Sequence, residues 1–132
     1  MSHKNILVPL GQDSKDLKAL YHALSLAARI QSKLFVFSFE AISEKPGKKS
    51  PVIEACLDVI HSACEEGLQI SFHIAADNSQ KEFLELLERE HIDLIIISDT
   101  EIRIEKMIKQ IMPQISCQVV QVETKNNVNF LS

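Results

Sequence analysis

The chain has 132 residues, 45% of them hydrophobic and 24% charged, which is enough to build one domain around its own core. A net charge of −4, with Lys and Arg scattered along the chain, lacks the basic stripe of a nucleic-acid binder, so no nucleic-acid partner is expected. No apolar stretch has the length of a membrane span or follows the pattern of a signal segment, and the expectation is a cytoplasmic protein without membrane contact. The cysteines Cys56, Cys64 and Cys117 are few, odd in number and widely spaced. They read as reduced, packed thiols, and no Cys/His zinc spacing accompanies them.

Residues 5–10 (Asn-Ile-Leu-Val-Pro-Leu) are a continuous apolar run, as in a strand covered on both faces. Pro9 has no N–H for a ladder and is expected at the strand's end. Gly11-Gln12-Asp13-Ser14 make a sharp turn, in which Ser14 or Asp13 can cap a helix and Asp16 complements its dipole. Leu17, Leu20, Tyr21, Leu24, Ala27 and Ala28 recur at helical spacing, which predicts a first helix ending near Gln31. Residues 34–39 (Leu-Phe-Val-Phe-Ser-Phe), aromatic and β-branched, predict a second buried strand. Residues 41–50 show no period and contain Lys45-Pro46-Gly47-Lys48-Lys49, which reads as a solvated loop.

Pro51 suits the first turn of a second helix, whose stripe of Cys56, Leu57, Ile60, Ala63 and Cys64 stops at Gly67. From Leu68 to Ala76, Ile70, Phe72 and Ile74 alternate with Gln69, Ser71 and His73, the pattern of an outer strand with one wetter face. Ser79 and Glu82 have capping-box spacing before a third helix carrying Phe83, Leu84, Leu86 and Leu87. Leu94-Ile95-Ile96-Ile97 is the most strand-like run, and Ser98-Asp99-Thr100 is a second polar turn. Ile104, Met107, Ile108 and Ile111 make the fourth helix amphipathic, and Pro113 ends it. Residues 118–122 predict a last strand at a sheet edge. The polar segment 125–132 reads as a tail on a domain of residues 1–124, frayed or laid against the body or a partner.

The alternation of five strands with four helices predicts a doubly wound parallel α/β sheet of the flavodoxin type. Its ligand crevice should lie between the turns after strands one and four, where the strand order reverses. The candidate lining is Pro9, Leu10, Gly11, Gln12, Asp13, Ser98 and Asp99. The five histidines are scattered and read as surface or helix-flank residues. No nucleophile–base set assembles, and neither catalytic residues nor a metal site are expected.

With these elements placed, the chain resembles the universal stress protein family over nearly its whole length. The carrying residues are Asn5 to Leu10, the helix with Leu17, Ala19, Leu20, Ala23, Leu26 and Ala27, then Glu90-His91, Asp93 to Ser98, and Cys117 to Val120. The resemblance implies strand order 3-2-1-4-5, the adenine nucleotide alpha hydrolase-like architecture, stress-linked expression and frequent homodimers. Many members hold ATP in the crevice with glycines that let backbone N–H groups reach the phosphates.

This chain departs from that pattern at the phosphate positions. Gly11 stands where the family has an acidic nucleotide contact, while Asp77 and Ser98 stand where it has glycines. No glycine follows Gly67, and the family's Gly-Ser position falls near Glu105-Lys106, inside the fourth helix. Asp77, Asp99 and Glu101 bring carboxylates to the same mouth, where a triphosphate would be repelled unless a divalent cation intervened. The expectation is therefore a non-enzymatic stress-response module with a degenerate nucleotide site and no cofactor. Such a module acts as a homodimer through its last strand, by protein contacts or an unidentified small ligand.

The alternative is an ATP-binding or slowly hydrolysing domain with an altered cleft. Two further readings are weaker. Gly11 to Ser14 matches only the end of the PP-loop pyrophosphatase motif, and Asp77 stands near the phosphoacceptor position of receiver domains, without their paired acids and lysine.

Overall fold

The computed structural model describes residues 4–11, 16–39, 51–75, 79–123 and 128–131. Gln12, Asp13, Ser14, Asp77 and the whole 41–50 loop lie outside them. In chain order the elements are β1 (Asn5–Leu10), α1 (Lys18–Ile30), β2 (Lys33–Ser38), α2 (Pro51–Glu65), β3 (Ile70–Ile74) and α3 (Ser79–Arg89). They continue with β4 (Leu94–Ser98), α4 (Ile102–Ile111), a 3-10 turn at Met112–Gln114, β5 (Gln118–Val122) and β6 (Val128–Phe130). The sheet order is β3-β2-β1-β4-β5-β6. The first five strands are parallel, as the alternation requires. No helix among the described residues is long and apolar enough to cross a membrane.

Period two in the central strands splits their side chains between two cores. Ile6, Val8, Leu10, Leu34, Val36 and Ile96 pack under α1 and α2 with Leu20, Ala23, Ala27, Cys56 and Ile60. Leu7, Phe35, Phe37, Ile95, Ile97 and Val119 pack under α3 and α4 with Phe83, Leu86, Ile104, Ile108 and Ile111. The rings of Phe37, Phe39 and Phe83 lie 4.8–5.4 Å apart, so the Phe alternation of β2 serves the core.

Several readings of the sequence need correction. Residues 118–122 are not the sheet edge, because Val128–Phe130, in the segment read as frayed or laid against the body or a partner, pairs antiparallel with β5 and covers it. Ile74, expected to face inward, is 51% exposed at the end of the marginal strand β3. His73, expected on the surface, is half-buried against Phe35, ring centroids 6.1 Å apart, and its Nε2 is buried without a hydrogen-bond partner. Burial, with Arg89 and Lys33 nearby, pushes the imidazole below its ordinary pKa, against the opposing pull of Glu90. Of the thiols expected to be packed, Cys56 is buried and pushed up to about 11, whereas Cys64 is exposed on the outer side of α2.

α1, α2 and α3 end in the same way. The N–H groups of Ser32, Leu68 and Ile92 return to the carbonyls of Ala27, Ala63 and Leu87, and the residue before each is left-handed. This is the Schellman ending, which favours glycine at the left-handed position. Only α2 has one there, Gly67 at φ +100°, while Gln31 (φ 53°) and His91 (φ 50°) carry a Cβ. A left-handed residue with a side chain costs about 1 kcal/mol. Gln31→Gly and His91→Gly are therefore expected each to raise the thermal midpoint by a few degrees. Gly67→Ala should lower it by a similar amount through backbone strain alone, because a Cβ there would meet no atom within 4 Å. Thermal denaturation of the three variants checks both signs.

Candidate functional site

The crevice begins with a missing donor. Leu10 gives its carbonyl to Phe39 of the β2 side, and Asn5 gives its own to Asp93 of the β4 side. Alternation along β1 therefore aims the backbone of Pro9 at β4, where it offers no N–H. β1 stays in register with β2 as far as Leu10, but with β4 only at Ile6 and Leu7. The two central strands thus part toward their carboxyl ends, and the turns that follow them face each other across the gap.

Side chains tie these turns together. Asp16, just before α1, accepts the N–H of Lys18 through Oδ1 at 3.1 Å, the first-turn donor that needs a cap. The same carboxylate reaches the end of β4. Its Oδ2 accepts the Thr100 hydroxyl at 2.9 Å, and its Oδ1 lies 3.3 Å from Ser98 Oγ. Ser98 Oγ and Thr100 Oγ1 are 2.9 Å apart, and Ser98 Oγ also accepts the Thr100 N–H at 3.3 Å. Each hydroxyl has one proton. The best-satisfied arrangement has Ser98 donating to Thr100 and Thr100 donating to Asp16.

A second tie lies beside the first. Lys18 Nζ meets Asp99 Oδ1 at 2.6 Å, with each side chain about a quarter exposed. That hydrogen bond, with the charges of Asp99, Asp16 and Glu123, holds the ammonium above the usual lysine range against the opposing effect of burial. Asp99 also donates its N–H to Val122 of β5 at 3.0 Å, which fixes the start of the turn. Glu101, 2% exposed, turns the chain into α4. Its N–H bonds the Ser98 carbonyl at 3.0 Å, and its own carbonyl accepts from Glu105 at 2.8 Å.

Of the residues expected to line the crevice, Pro9 and Leu10 are buried within β1, and Leu10 belongs to the α1-side core. Gly11 is half-buried at the strand's end, Ser98 is fully buried and Asp99 carries the ion pair. Gln12 and Asp13 lie outside the described residues. Asp16, Lys18 and Thr100 also belong to the site, although the sequence marks Asp16 only as a dipole residue and Thr100 only as part of a turn. The helical period could have flagged Lys18, which follows directly on the turn and starts the helix that faces β4.

The charge balance is unfavourable for a phosphate. Asp16, Asp99 and Glu101 bring carboxylates to the two turns, and the Lys18 ammonium there is already engaged by Asp99. A unit anion about 5 Å from each carboxylate would be repelled by about 3 kcal/mol apiece at an effective dielectric constant near 20. No group of three or more His, Cys, Asp or Glu among the described residues could hold a metal ion.

No protein-family model matches the sequence, and no curated protein matches it. Solved structures do match. A universal stress protein family member from Burkholderia pseudomallei superposes with a TM-score of 0.59 at 16% identity, covering 91% of this chain and 96% of that one. The chain has the universal stress protein fold. A universal stress protein in complex with cAMP gives a TM-score of 0.60 at 16% identity, covering 95% and 100% of the two chains. One from Archaeoglobus fulgidus in complex with dAMP gives 0.57 at 14% identity, covering 92% and 98%.

The raised pKa of Lys18 has a consequence for stability. A folded pKa above the unfolded one means that the pair's contribution is complete below about pH 10.4, the unfolded lysine value. It is lost as pH rises through the folded value. Lys18→Met is expected to abolish this alkaline loss, so that its thermal midpoint falls less steeply than the wild type's above that pH. Melting curves at intervals across the alkaline range check it.

Proposed function

We propose that this universal stress protein-like chain is a non-enzymatic regulatory module that acts through protein contacts. The observation that carries this reading is the lacing of the two crevice turns by Asp16 to Thr100, with Ser98 bonded in turn to Thr100, and by Lys18 to Asp99. A triphosphate seated there would have to break these ties and displace an ammonium from its carboxylate, with no glycine-rich loop to supply donors instead. The second reading, a nucleotide-binding domain with an altered cleft, is favoured by the cAMP and dAMP complexes of structural neighbours.

Calorimetry with ATP and Mg²⁺, cAMP and dAMP separates the two. No binding at about millimolar nucleotide is expected. Micromolar affinity that is lost in Gly11→Leu would establish the nucleotide reading instead.

The homodimer belongs to the same proposal, with its route changed by β6. The Leu131 N–H bonds Val119, so alternation turns the backbone groups of Val128 and Phe130 away from β5. Phe130 is 69% exposed beside this edge, which pairs with no other strand among the described residues. Two copies can therefore join β6 to β6 across a two-fold axis. Sedimentation equilibrium at micromolar concentrations is expected to show a dimer that Val128→Pro, which removes an N–H from the outer edge only, converts to monomer. A wild-type monomer there removes the dimer.

A further inference from the structure

On the face of the sheet covered by α1 and α2, the two helices leave a groove. Its floor is apolar, with Leu24 and Ala28 from α1 opposite Val59 and Ala63 from α2, in a cavity of about 500 Å³. A second cavity of about 760 Å³ continues it to the amino ends of β1, β2 and β3 and shares Ala28, Glu66 and Leu68 with the first. Along α1 the lining runs from Tyr21 to Gln31, about 15 Å of helix. Tyr21 stands 56% exposed at its upper end, a large amphipathic ring of the type that anchors interfaces. None of these residues belongs to the crevice at the other end of the sheet.

The charge of the groove has one sign. Asp58 and Glu66 are its carboxylates, both exposed. Lys33 also lines it, but its ammonium sits 5.1 Å from the Phe35 ring centroid, and Phe35 packs in the core on the opposite face of the sheet. The charge of Lys33 is thus turned away. α2 carries Glu54, Asp58 and Glu65 and has neither Lys nor Arg. The C-terminal ends of α1 and α2 meet at the lower cavity, through Gln31 and Gly67, and add partial negative charge there.

We propose that this groove is a docking site for a protein partner that presents a cationic amphipathic helix, with an aliphatic stripe flanked by Lys or Arg. The proposal rests on the reading that the chain acts through protein contacts. The floor takes the stripe, and Asp58 and Glu66 pair with the flanking cations. A small amine would leave the apolar floor uncovered. A second copy fits poorly, because the exposed basic face of α4, with Arg103, Lys106 and Lys109, offers only Ile102 to that floor.

The test uses the whole chain and two designed helical peptides of about 18 residues, with leucines at i, i+3 and i+4 and either Lys or Glu elsewhere. The Leu/Lys peptide is expected to bind at least about tenfold more tightly than the Leu/Glu peptide, with amide shifts clustered at Leu24, Ala28, Val59 and Ala63. Asp58→Lys with Glu66→Lys, and separately Ser62→Trp, change exposed positions and should each weaken it by about tenfold or more. Equal affinity for the two peptides, shifts scattered over other acidic surface, or indifference to Ser62→Trp overturns the proposal. Spermidine displacing the peptide at equal affinity would show a small-amine site, and self-association lost in Ser62→Trp would show a second copy; either overturns it. Titrating ATP into the same sample separates the failures. ATP binding without peptide binding removes the protein-contact reading, whereas silence from both ligands removes the groove alone.

Discussion

Pro9 sets the central constraint of this structure. β1 is the middle strand and needs partners on both sides, yet Pro9 presents no donor on the β4 side, and the ladder there lapses after Leu7. In an open parallel sheet the strand carrying the switch point is also the one whose neighbours run off in opposite directions. A broken ladder at that point would leave polar backbone and two loose turns. Asp16 answers this by capping α1 and gripping the end of β4 with one carboxylate. Local helix chemistry and long-range closure are thus joined in one side chain.

The crevice differs in kind from a phosphate cradle. A cradle relies on backbone N–H groups that can be left open for an incoming anion, and glycine makes the approach possible. Here the corresponding positions carry Ser98, Asp99 and Thr100, whose groups are matched within the protein. Partly buried polar networks of this sort are rigid when satisfied and costly when half broken. The ends of β1 and β4 are consequently a fixed part of the frame. On the proposed reading, recognition falls to the helices and the outer edge of the sheet.

The sheet and its helices were legible because continuous apolar runs such as Ile95-Ile96-Ile97 and helical stripes such as Ile104, Ile108 and Ile111 have no other economical use. The register of the crevice was only half legible. Ser98 and Asp99 stand out as polar residues ending an apolar strand, and Gly11 as the glycine after β1. Lys18 and Thr100 do not, because their roles depend on partners 81 and 84 positions away. β6 was missed for a related reason. A three-residue strand gains its order from the edge it meets, and Val128, Asn129 and Phe130 have too few alternations to announce it. His73 was misplaced because β3 lies at the far edge, where alternation tells which face a side chain takes but not what covers it.

The antiparallel turn onto β5 also bears on the order in which the molecule is assembled. During synthesis β1 finds β2 after a short crossover, since Asn5 stands opposite Lys33. It must wait for β4, however, because Asn5 and its partner Asp93 are separated by 88 positions. The centre of the sheet is therefore completed late, by a contact of high loop-closure cost. When β5 then docks, Val120 and Val122 lie on a strand whose outer side is still unpaired, the condition in which nascent β proteins recruit one another. Val128–Phe130 comes next along the chain and seals that side from within the same molecule. The edge of β5 is thus covered by the described strand that follows it most closely in the chain.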